Sequence, residues 1–519
     1  MRSLRLPLVL LAIVALLPTD TAPGKSFPVT STADTSVKGT LRGSIEEANA
    51  SDGPDAIPIE ITGSILLVSP LPPIEGGLTI VGPGSAALTV QRSVLADPFG
   101  ILVVSSGNLA LEGLEVTGGD GTLGGGIHNG TGSLTLTRVA VAGNEAEASS
   151  LLDGPAHGGG IFSEGPLTLR ESVVSGNSAV TKGPAEGDSE GGGVFALGKL
   201  TVERSTISGN VAQDLSSGDG HLSALGGGIY AQGEATIDRS TISGNSVFAE
   251  EGAESIAAGG GLFATGIGQL DGVTFTANSA LGGAASGSNL RAPGDWVFRD
   301  TIVADPKGDA DSCADYFQSG GYNLDEDGSC GLTESSDLVD VIAALGPLAD
   351  NGGPTPTHAL LPGSIAIDRG SSLGATTDQR GLPRPSNFPE ISDKEGGDGS
   401  DIGAFELQAP VPPAPGAGGI LPALVSETPT DRTPPNTRVV SGPARTTFRR
   451  QAKFRFASTE AQSRFQCRLD RQRWKACANP FKGTVKPGKH IFQVRAIDRF
   501  GNVDPTPARF GWRVKRIVS

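Results

Sequence analysis

An all-β protein is the fold class that the sequence predicts: a single-stranded parallel β-helix followed by a small β-sandwich. Three observations predict it. A motif recurs every 33 to 35 residues, apolar and polar residues alternate within each repeat, and a proline-rich stretch separates an acidic region from a basic one. Repeats of this length bury their apolar faces against their neighbours and form stacked architectures. No repeat has an apolar face at helical spacing long enough for a helix.

Each repeat is marked by a glycine triplet and, 17 or 18 residues after it, an asparagine. The triplets begin at Gly124, Gly158, Gly191, Gly226 and Gly259. The asparagines are Asn144, Asn177, Asn210, Asn245 and Asn278. Glycine accepts positive φ without a Cβ penalty, so the triplet predicts a tight corner. Asparagines at the same position of stacked coils can bond to one another and to the turn backbone.

Apolar columns before each asparagine predict the strands. Such residues stand ten, eight and three positions before it, as in Leu134, Leu136 and Val141, with threonines such as Thr135 between them. This period of two predicts two or three short strands per repeat. The alternative is a propeller, whose blades usually need about 40 residues and four strands. The shorter repeats with few aromatic residues favour a β-helix, whose coils rise by about 4.8 Å.

Several motifs resemble known families. The pattern GGG-[IVL]-[FYH] followed by [ST]-x-SGN-[SV] resembles the repeats of polymorphic outer-membrane proteins and of pectate-lyase-like right-handed β-helices. Residues 29–35 and 40–49 resemble the N-terminal CSLREA segment of bacterial surface β-helix proteins, although its Cys is absent and Gly43-Ser44 replace Glu-Ala. Residues 321–324, 346–364, 366–368, 378–381 and 401–406 resemble the choice-of-anchor Q module. The resemblance covers residues 27–407 and implies a right-handed β-helix, with no chemistry attached.

The predicted domains follow from these motifs. Residues 1–24 are predicted to be a signal peptide, because Arg2 and Arg5 precede an apolar run too short to span a membrane; an uncleaved signal anchor is the alternative. Residues 25–305 form the β-helix, residues 306–407 its choice-of-anchor-Q-like C-terminal part, residues 408–432 a Pro-rich linker and residues 433–519 a basic β-sandwich. The predicted location is secreted, extracellular or at the cell surface, with no membrane span after cleavage.

The C-terminal region is distinct in charge and pattern. Residues 431–519 carry 21 Lys and Arg against 5 Asp and Glu, whereas the rest of the chain has a balance of −32. Residues 452–456, 464–468 and 490–496 alternate as strands do. Residues 433–437, 465–470, 487–490 and 494–498 resemble bacterial Ig-like modules, which implies an Ig-like sandwich.

The four cysteines form two local pairs, Cys313 with Cys330 and Cys467 with Cys477. An even number of closely spaced cysteines in an exported chain predicts disulfides. Metal binding is the alternative, but neither pair has CxxC spacing or a nearby cluster of histidines. No metal site and no resident cofactor are expected.

Three carboxylates stand seven residues before successive repeat asparagines: Glu203, Asp238 and Asp271. In register they form a carboxylate column that could hold Ca²⁺ or perform acid–base chemistry on a glycan. Arg204 and Arg239 follow one position later, so a solvated, neutralised face is the favoured interpretation. The segments between each asparagine and the next triplet are expected to be loops with an acidic rim, and the five histidines are expected to lie in turns or at the surface.

The basic region supplies a candidate site for polyanions, comprising Arg449, Arg450, Lys453, Arg468, Arg471, Arg473 and Lys475. Cell-wall polymers or glycans are the expected partners of an exported protein, and nucleic acid is disfavoured. The sequence therefore favours an adhesin, a glycan- or wall-binding protein or a structural spacer rather than an enzyme. A polysaccharide lyase or glycoside hydrolase working on the β-helix face is the alternative.

Overall fold

The computed structural model describes residues 24–409 and 435–515, apart from gaps at 151–152, 184–186, 217–222, 251–254, 283, 309, 444, 448–449, 460–462, 471–473, 478 and 498–501. The predicted signal peptide and the Pro-rich linker therefore lie almost wholly outside the described residues. The described chain is all-β, and its long parallel sheets are compatible with a parallel β-helix. Among the described residues, no helix combines the length and the apolar character needed to cross a membrane.

Successive repeats stack as coils, and each coil adds one strand to each of several parallel sheets. Sheet 1 contains Asp55–Pro58, Leu78–Val81, Leu109–Glu112, Leu134–Thr137, Leu167–Arg170, Leu200–Glu203, Ala235–Asp238, Gly268–Asp271, Trp296–Arg299 and Gln318–Ser319. Sheet 2 contains Gly63–Leu67, Leu88–Arg92, Glu115–Thr117, Ala140–Ala142, Val173–Ser175, Thr206–Ser208, Thr241–Ser243, Thr274–Thr276, Ile302–Ala304, Leu324–Asp325 and Leu338–Val339. Sheet 3 contains Leu102–Val104, Ile127–Asn129, Ile161–Ser163, Val194–Ala196, Ile229–Ala231, Leu262–Ala264 and Leu290–Arg291.

The apolar columns face the interior of this coil stack. Leu134 lies directly beside Leu167, which lies beside Leu200, and all three are fully buried. Between them the threonines of the same strands are partly exposed, so the period-2 prediction is confirmed. The core is therefore a series of identical layers, each closed only by the coil above and below it.

The segments that were expected to be loops contain strands. They form two further parallel sheets beside the main coils. Sheet 4 contains Asp120–Gly121, Glu145–Ala148, Ser178–Gly183, Val211–Ser216, Ser246–Ala249, Ser279–Gly282 and Lys307–Gly308. Sheet 5 contains Ala156–His157, Ser189–Glu190, Ser223–Leu225, Ile256–Ala258 and Ala284–Ser286. Buried alanines such as Ala146, Ala179 and Ala212 pack inside them, and these small side chains gave a weak strand signal in the sequence.

The glycine corners have the geometry that the triplets predict. The first glycine of a triplet, such as Gly158, has φ +65°. At the third, Gly160, a Cβ would lie 2.7 Å from the carbonyl oxygen of Gly193 in the next coil and 3.0 Å from the amide of Asn177. The coils approach too closely there for any side chain.

A helix covers the first coil. It spans Leu41–Asn49, and Thr40 caps its start by accepting a hydrogen bond from the Gly43 N–H. Leu41 and Ile45 are buried in the same core as the coils. The apolar end of the stack is thereby shielded from water, as an open coil requires.

The chain then folds back along the outside of sheet 2. The parallel strands end at Leu338–Val339, and an antiparallel pair, Leu345–Ala349 with Thr357–Leu360, begins the return segment, residues 345–409. Thr241 Oγ1 donates to Gln379 Oε1 at 2.6 Å, and Ser243 Oγ lies 2.8 Å from His358 Nε2. His358 is 8% exposed, so the expectation of a surface or turn histidine was wrong for this residue.

The C-terminal module, residues 435–515, consists of two sheets around one core. Sheet 6 contains Thr437–Ser441, Gln451–Ser458 and Phe481–Thr484. Sheet 7 contains Thr446–Thr447, Ala508–Val514, Gly488–Ile497, Arg464–Leu469 and Lys475–Cys477. Phe454 of sheet 6 stacks on Phe492 of sheet 7 with ring centroids 4.1 Å apart.

Both predicted disulfides are present. Cys313 is bonded to Cys330 at the end of the coil stack, and Cys467 to Cys477 between two neighbouring strands of sheet 7. No free cysteine remains.

Candidate functional site

The corner between sheets 1 and 2 carries charged residues on the outside of the coil stack. One residue per coil occupies this corner, and in five coils it is a non-glycine residue with φ between +42° and +53°. These corner residues are Arg138, Glu171, Arg204, Arg239 and Asp300. The next residue is often a serine, such as Ser205, whose Oγ accepts a hydrogen bond from the backbone of the preceding coil. This serine ladder holds the corner, so the charged side chains project outward.

The predicted carboxylate column lies beside this corner. Its members end successive strands of sheet 1 and pair in register, so Glu203 is opposite Asp238 and Asp238 is opposite Asp271. Along the stack the column reads Glu112, Thr137, Arg170, Glu203, Asp238, Asp271 and Arg299. The structure thus brings the three carboxylates together at the strand spacing, about 4.8 Å per coil.

Arginines lie against each of these carboxylates. Arg239 Nη2 is 2.6 Å from Asp238 and 3.7 Å from Glu203, and Arg299 Nε is 2.7 Å from Asp271. The three carboxylate side chains are 19 to 29% exposed. The neutralisation expected from Arg239 is therefore present in the geometry, and the column is partly solvated.

A loop of the return segment turns this column into a cleft. Residues 372–375 stand opposite the column and enclose a cavity of about 440 Å³ with it. The lining combines hydroxyl, carboxylate and guanidinium groups, namely Thr201, Glu203, Thr236, Asp238, Arg239, Asp271, Gly272, Asp300, Ser372, Leu373, Gly374, Ala375 and Arg384. The volume is within the range of ligand sites, about 300–1,000 Å³.

The floor of the cleft is a buried ion pair. Arg384 contacts Asp300, and both side chains are 1% exposed. Asp300 also accepts a hydrogen bond of 2.9 Å from the Ser371 N–H, next to the loop. Arg384 donates to the carbonyl oxygens of Gly403 and Asp401 at 2.7 Å each. The cleft wall is therefore fixed to the coil stack by charge-assisted bonds.

Two further buried carboxyl groups, those of Asp401 and Glu406, lie beside the Arg384–Asp300 pair. Glu406 lies 3.7 Å from Arg384, and Asp401 accepts hydrogen bonds from the backbone of Asp368 and Leu407. Burial raises the pKa of Asp300 to about 8 and raises the pKa values of Asp401 and Glu406. One guanidinium cannot compensate three buried carboxylates, so part of the cluster holds protons near neutral pH.

The sequence did not identify Asp300, Arg384 or the loop 372–375 as parts of the cleft. Arg384 is 84 residues from Asp300 in the chain, and only the return of the segment joins them. The available signal was the cluster of charged motifs at 366–368, 378–381 and 401–406. Those motifs now lie in or beside the buried cluster.

The acidic rim is more buried than expected. Asp214 is fully buried and accepts hydrogen bonds from the backbone N–H groups of Ser216 and Ser223. Burial raises the pKa values of Asp214 and Asp188. His157 Nε2 lies 2.9 Å from Glu190. Carboxylates of this rim therefore bond within sheets 4 and 5 as well as facing water.

Next to this rim runs an aromatic stack that the sequence analysis missed. Phe162, Phe195, Tyr230 and Phe263 follow one another in sheet 3 with centroids 4.7 to 5.3 Å apart. They point away from the coil interior and are covered by sheet 5. The signal was the second position after each glycine triplet, which is aromatic in these four repeats.

The described members of the predicted polyanion-binding set lie on more than one sheet. Lys453 lies on the outer face of sheet 6, Arg468 on the outer face of sheet 7 and Lys475 on its edge strand. Arg450 donates to the Val485 carbonyl oxygen at 3.1 Å. Arg449, Arg471 and Arg473 lie outside the described residues.

Within the described ranges, no group of three or more His, Cys, Asp or Glu side chains could hold a metal ion. Three comparisons with known proteins bear on identity. No family model, no curated protein and no solved structure matches this chain. A function is therefore inferred from the geometry of the cleft and of the C-terminal module.

Proposed function

We propose that this chain is an exported protein of the bacterial cell surface, a right-handed parallel β-helix with an Ig-like module, that binds a linear glycan in the cleft beside its carboxylate column. It acts as an adhesin or as a wall-binding spacer. The observation that carries the proposal is the cleft, in which Glu203, Asp238 and Asp271 recur at coil spacing opposite a fixed loop.

The repeat of the coil suits a polymeric ligand. Each coil offers a carboxylate, and two offer a threonine hydroxyl as well, Thr201 and Thr236. Carboxylates, guanidiniums and hydroxyls together accept from and donate to the hydroxyl groups of sugars. Four coils contribute to the lining, so the cleft extends roughly 14 Å along the stack at about 4.8 Å per coil.

The charge of the lining selects among glycans. Three carboxylates face the cleft, Glu203, Asp238 and Asp271, against two guanidiniums, Arg239 and Arg384. Asp300 adds little charge near neutral pH, because burial raises its pKa to about 8. Polyuronates would meet this carboxylate excess, and like charges repel in a partly desolvated site. The site therefore favours neutral or amino-bearing glycans over polyuronates.

Binding of neutral, amino-bearing and uronate oligosaccharides to the mature full-length protein tests this. We expect Asp238→Asn combined with Thr236→Val to weaken binding of the neutral or amino-bearing ligand about tenfold, because a bidentate acceptor and a hydroxyl are lost. The matched control is Glu112→Gln. Glu112 belongs to the same column three coils before Glu203, contacts Arg138 and does not line the cleft. Equal effects of the two changes, or a preference for polyuronates, would contradict the proposal.

Glycan cleavage is the second candidate, favoured by the carboxylates of neighbouring coils. Their register separation of about 4.8 Å is near the 5–5.5 Å of retaining glycosidases. The arginine contacts of Asp238 and Asp271 argue against it, since they occupy carboxylate oxygens that a general acid or a nucleophile would direct at the substrate. Release of reducing ends or unsaturated products, lost in both Asp238→Asn and Asp271→Asn, would establish cleavage in place of simple binding.

A further inference from the structure

The outer face of sheet 7 carries a row of basic side chains that is separate from the cleft. Along each strand these residues alternate with core residues, as Arg468 does with Cys467 and Arg495 with Val494, so they point away from the core. The arginine face consists of Arg464, Arg468, Lys489, Arg495, Arg509 and Arg513. Only Arg468 among them was singled out from the sequence.

Neutral groups hold the central arginines of this face. Gln466 Oε1 accepts hydrogen bonds from Arg495 Nε at 3.0 Å and Nη2 at 2.7 Å, and Gln493 Oε1 accepts from Arg468 Nε at 2.8 Å. The guanidinium carbons of Arg468 and Arg495 lie 4.5 and 4.6 Å from the ring of Trp474. The two cations are therefore oriented without losing their charge.

In the coil stack, by contrast, arginines are paired with carboxylates. Arg92, Arg239 and Arg299 each lie within 4 Å of a carboxylate. On the arginine face, no carboxylate of the described residues lies within that distance of any of the six basic groups. Lys489 and Arg513 even stand directly opposite one another on neighbouring strands, both exposed. Like charges in that position are destabilising, and no carboxylate of the described residues lies close enough to offset them.

We propose that the arginine face is a binding site for an anionic polysaccharide whose charge comes from sulfate or phosphate groups. Oriented guanidiniums with free N–H donors match the paired oxygens of such groups. The polymer would relieve the repulsion within the face. Because the linker and the cleft take no part in it, the inference is independent of the proposed glycan site.

The described arginine face offers neither a row of aromatic rings nor a protruding element, and this favours a polysaccharide over nucleic acid as its ligand. Single-stranded nucleic acid is bound largely by aromatic platforms that stack on successive bases. Here Trp474 is the aromatic ring among the described residues of this face, and two guanidiniums already contact it. Duplex DNA is read by an element that enters a groove, whereas sheet 7 offers a broad sheet surface.

The test uses the mature full-length protein with four probes: a highly sulfated glycosaminoglycan, a glycerol-phosphate polymer, an unsulfated uronate polymer and duplex DNA. We expect tight, salt-dependent binding to the first, the second or both, weaker binding to the uronate polymer and weaker binding to DNA. The double variant R468Q/R495Q should lower affinity at least tenfold. It should also reduce the slope of log affinity against log salt by about two, one for each lost contact.

The matched control is the double variant R438Q/K482Q. Arg438 and Lys482 are exposed on strands of sheet 6, and the net charge changes by the same amount. We expect it to leave most of the affinity intact. The variant R468K/R495K keeps the charge but loses the planar fork, and it should bind more weakly than the parent.

Three results would overturn the inference. One is equal weakening by the two glutamine double variants, which would indicate net charge alone. Another is a preference for duplex DNA over both sulfated and phosphate polymers. The third is undiminished binding by R468Q/R495Q while its thermal unfolding matches that of the parent.

Discussion

The side-chain amide of Asn177 donates a hydrogen bond of 2.9 Å to Oδ1 of Asn210 in the next coil, and the backbone N–H of Asn177 donates to the same oxygen at 3.0 Å. The same pair of bonds joins Asn144 to Asn177, Asn210 to Asn245 and Asn245 to Asn278. Each asparagine is at most 1% exposed. From Asn144 to Asn278, the ladder therefore gives the backbone N–H at each corner a hydrogen-bond acceptor in the next coil.

Asn210→Ala should destabilise the protein by about 3 kcal/mol or more, because two buried donors of Asn177 lose their acceptor. Chemical denaturation followed by circular dichroism measures this. Asn108→Ala is the matched control, since Asn108 is exposed and accepts from Ser133. A loss no greater than that of the control would show that water replaces the ladder at little cost.

Gly160→Ala should be more harmful than Gly154→Ala. At Gly160 the new Cβ would lie 2.7 Å from the Gly193 carbonyl oxygen, whereas at Gly154 it would meet none of the described residues within 4 Å. Overpacking of this kind typically costs about 1–3 kcal/mol. Thermal unfolding of the two variants in parallel checks the order, and equal melting temperatures would contradict the close approach of the coils.

Replacing both Cys313 and Cys330 by alanine should lower the free energy of unfolding by about 3 kcal/mol, because the bond closes a loop with a sequence separation of 17. Denaturation of the oxidised parent and of the variant measures the difference. Reduction of the parent should cause at least this loss, because it also breaks the Cys467–Cys477 disulfide. Free thiols titrated at either cysteine in the native, oxidised protein would refute the pairing.

The attachment of the return segment should weaken as pH rises. Burial raises the pKa of Asp300 from 3.8 to about 8. Between these two pH values, the folded protein keeps a proton on Asp300 that the unfolded chain has released. The free energy of unfolding contributed by the group is therefore fully present below about pH 4 and is lost as pH approaches 8. Asp401 and Glu406, whose pKa values burial also raises, act in the same direction.

Urea denaturation at about pH 5 and about pH 8 measures this slope. Glu406→Gln, which cannot ionise, should flatten it. Asp97→Asn should leave it unchanged, because Asp97 is exposed and lies away from the cluster. A free energy of unfolding that increases over this pH range in the parent would contradict the assignment.

The repeat itself determined much of the architecture. The glycine triplets, the asparagines and the period-2 apolar columns predicted stacked coils, the corner bonds and the register of Glu203, Asp238 and Asp271. Residues at the same position of a repeat must meet when coils stack, so sequence spacing translates directly into spatial contact. The disulfide partners could also be predicted from the sequence, because the two cysteines of each pair are close in the chain.

Only the tertiary structure decided the features that join distant or weakly patterned segments. The cleft depends on the contact of Arg384 with Asp300 across 84 residues, and no periodicity encodes where the return segment lies. The strands of sheets 4 and 5 are rich in alanine, which has low strand propensity, so tertiary packing rather than local preference determines them. The arginine face likewise arises because strands from separate parts of the module pair within sheet 7 and place alternate residues on one side.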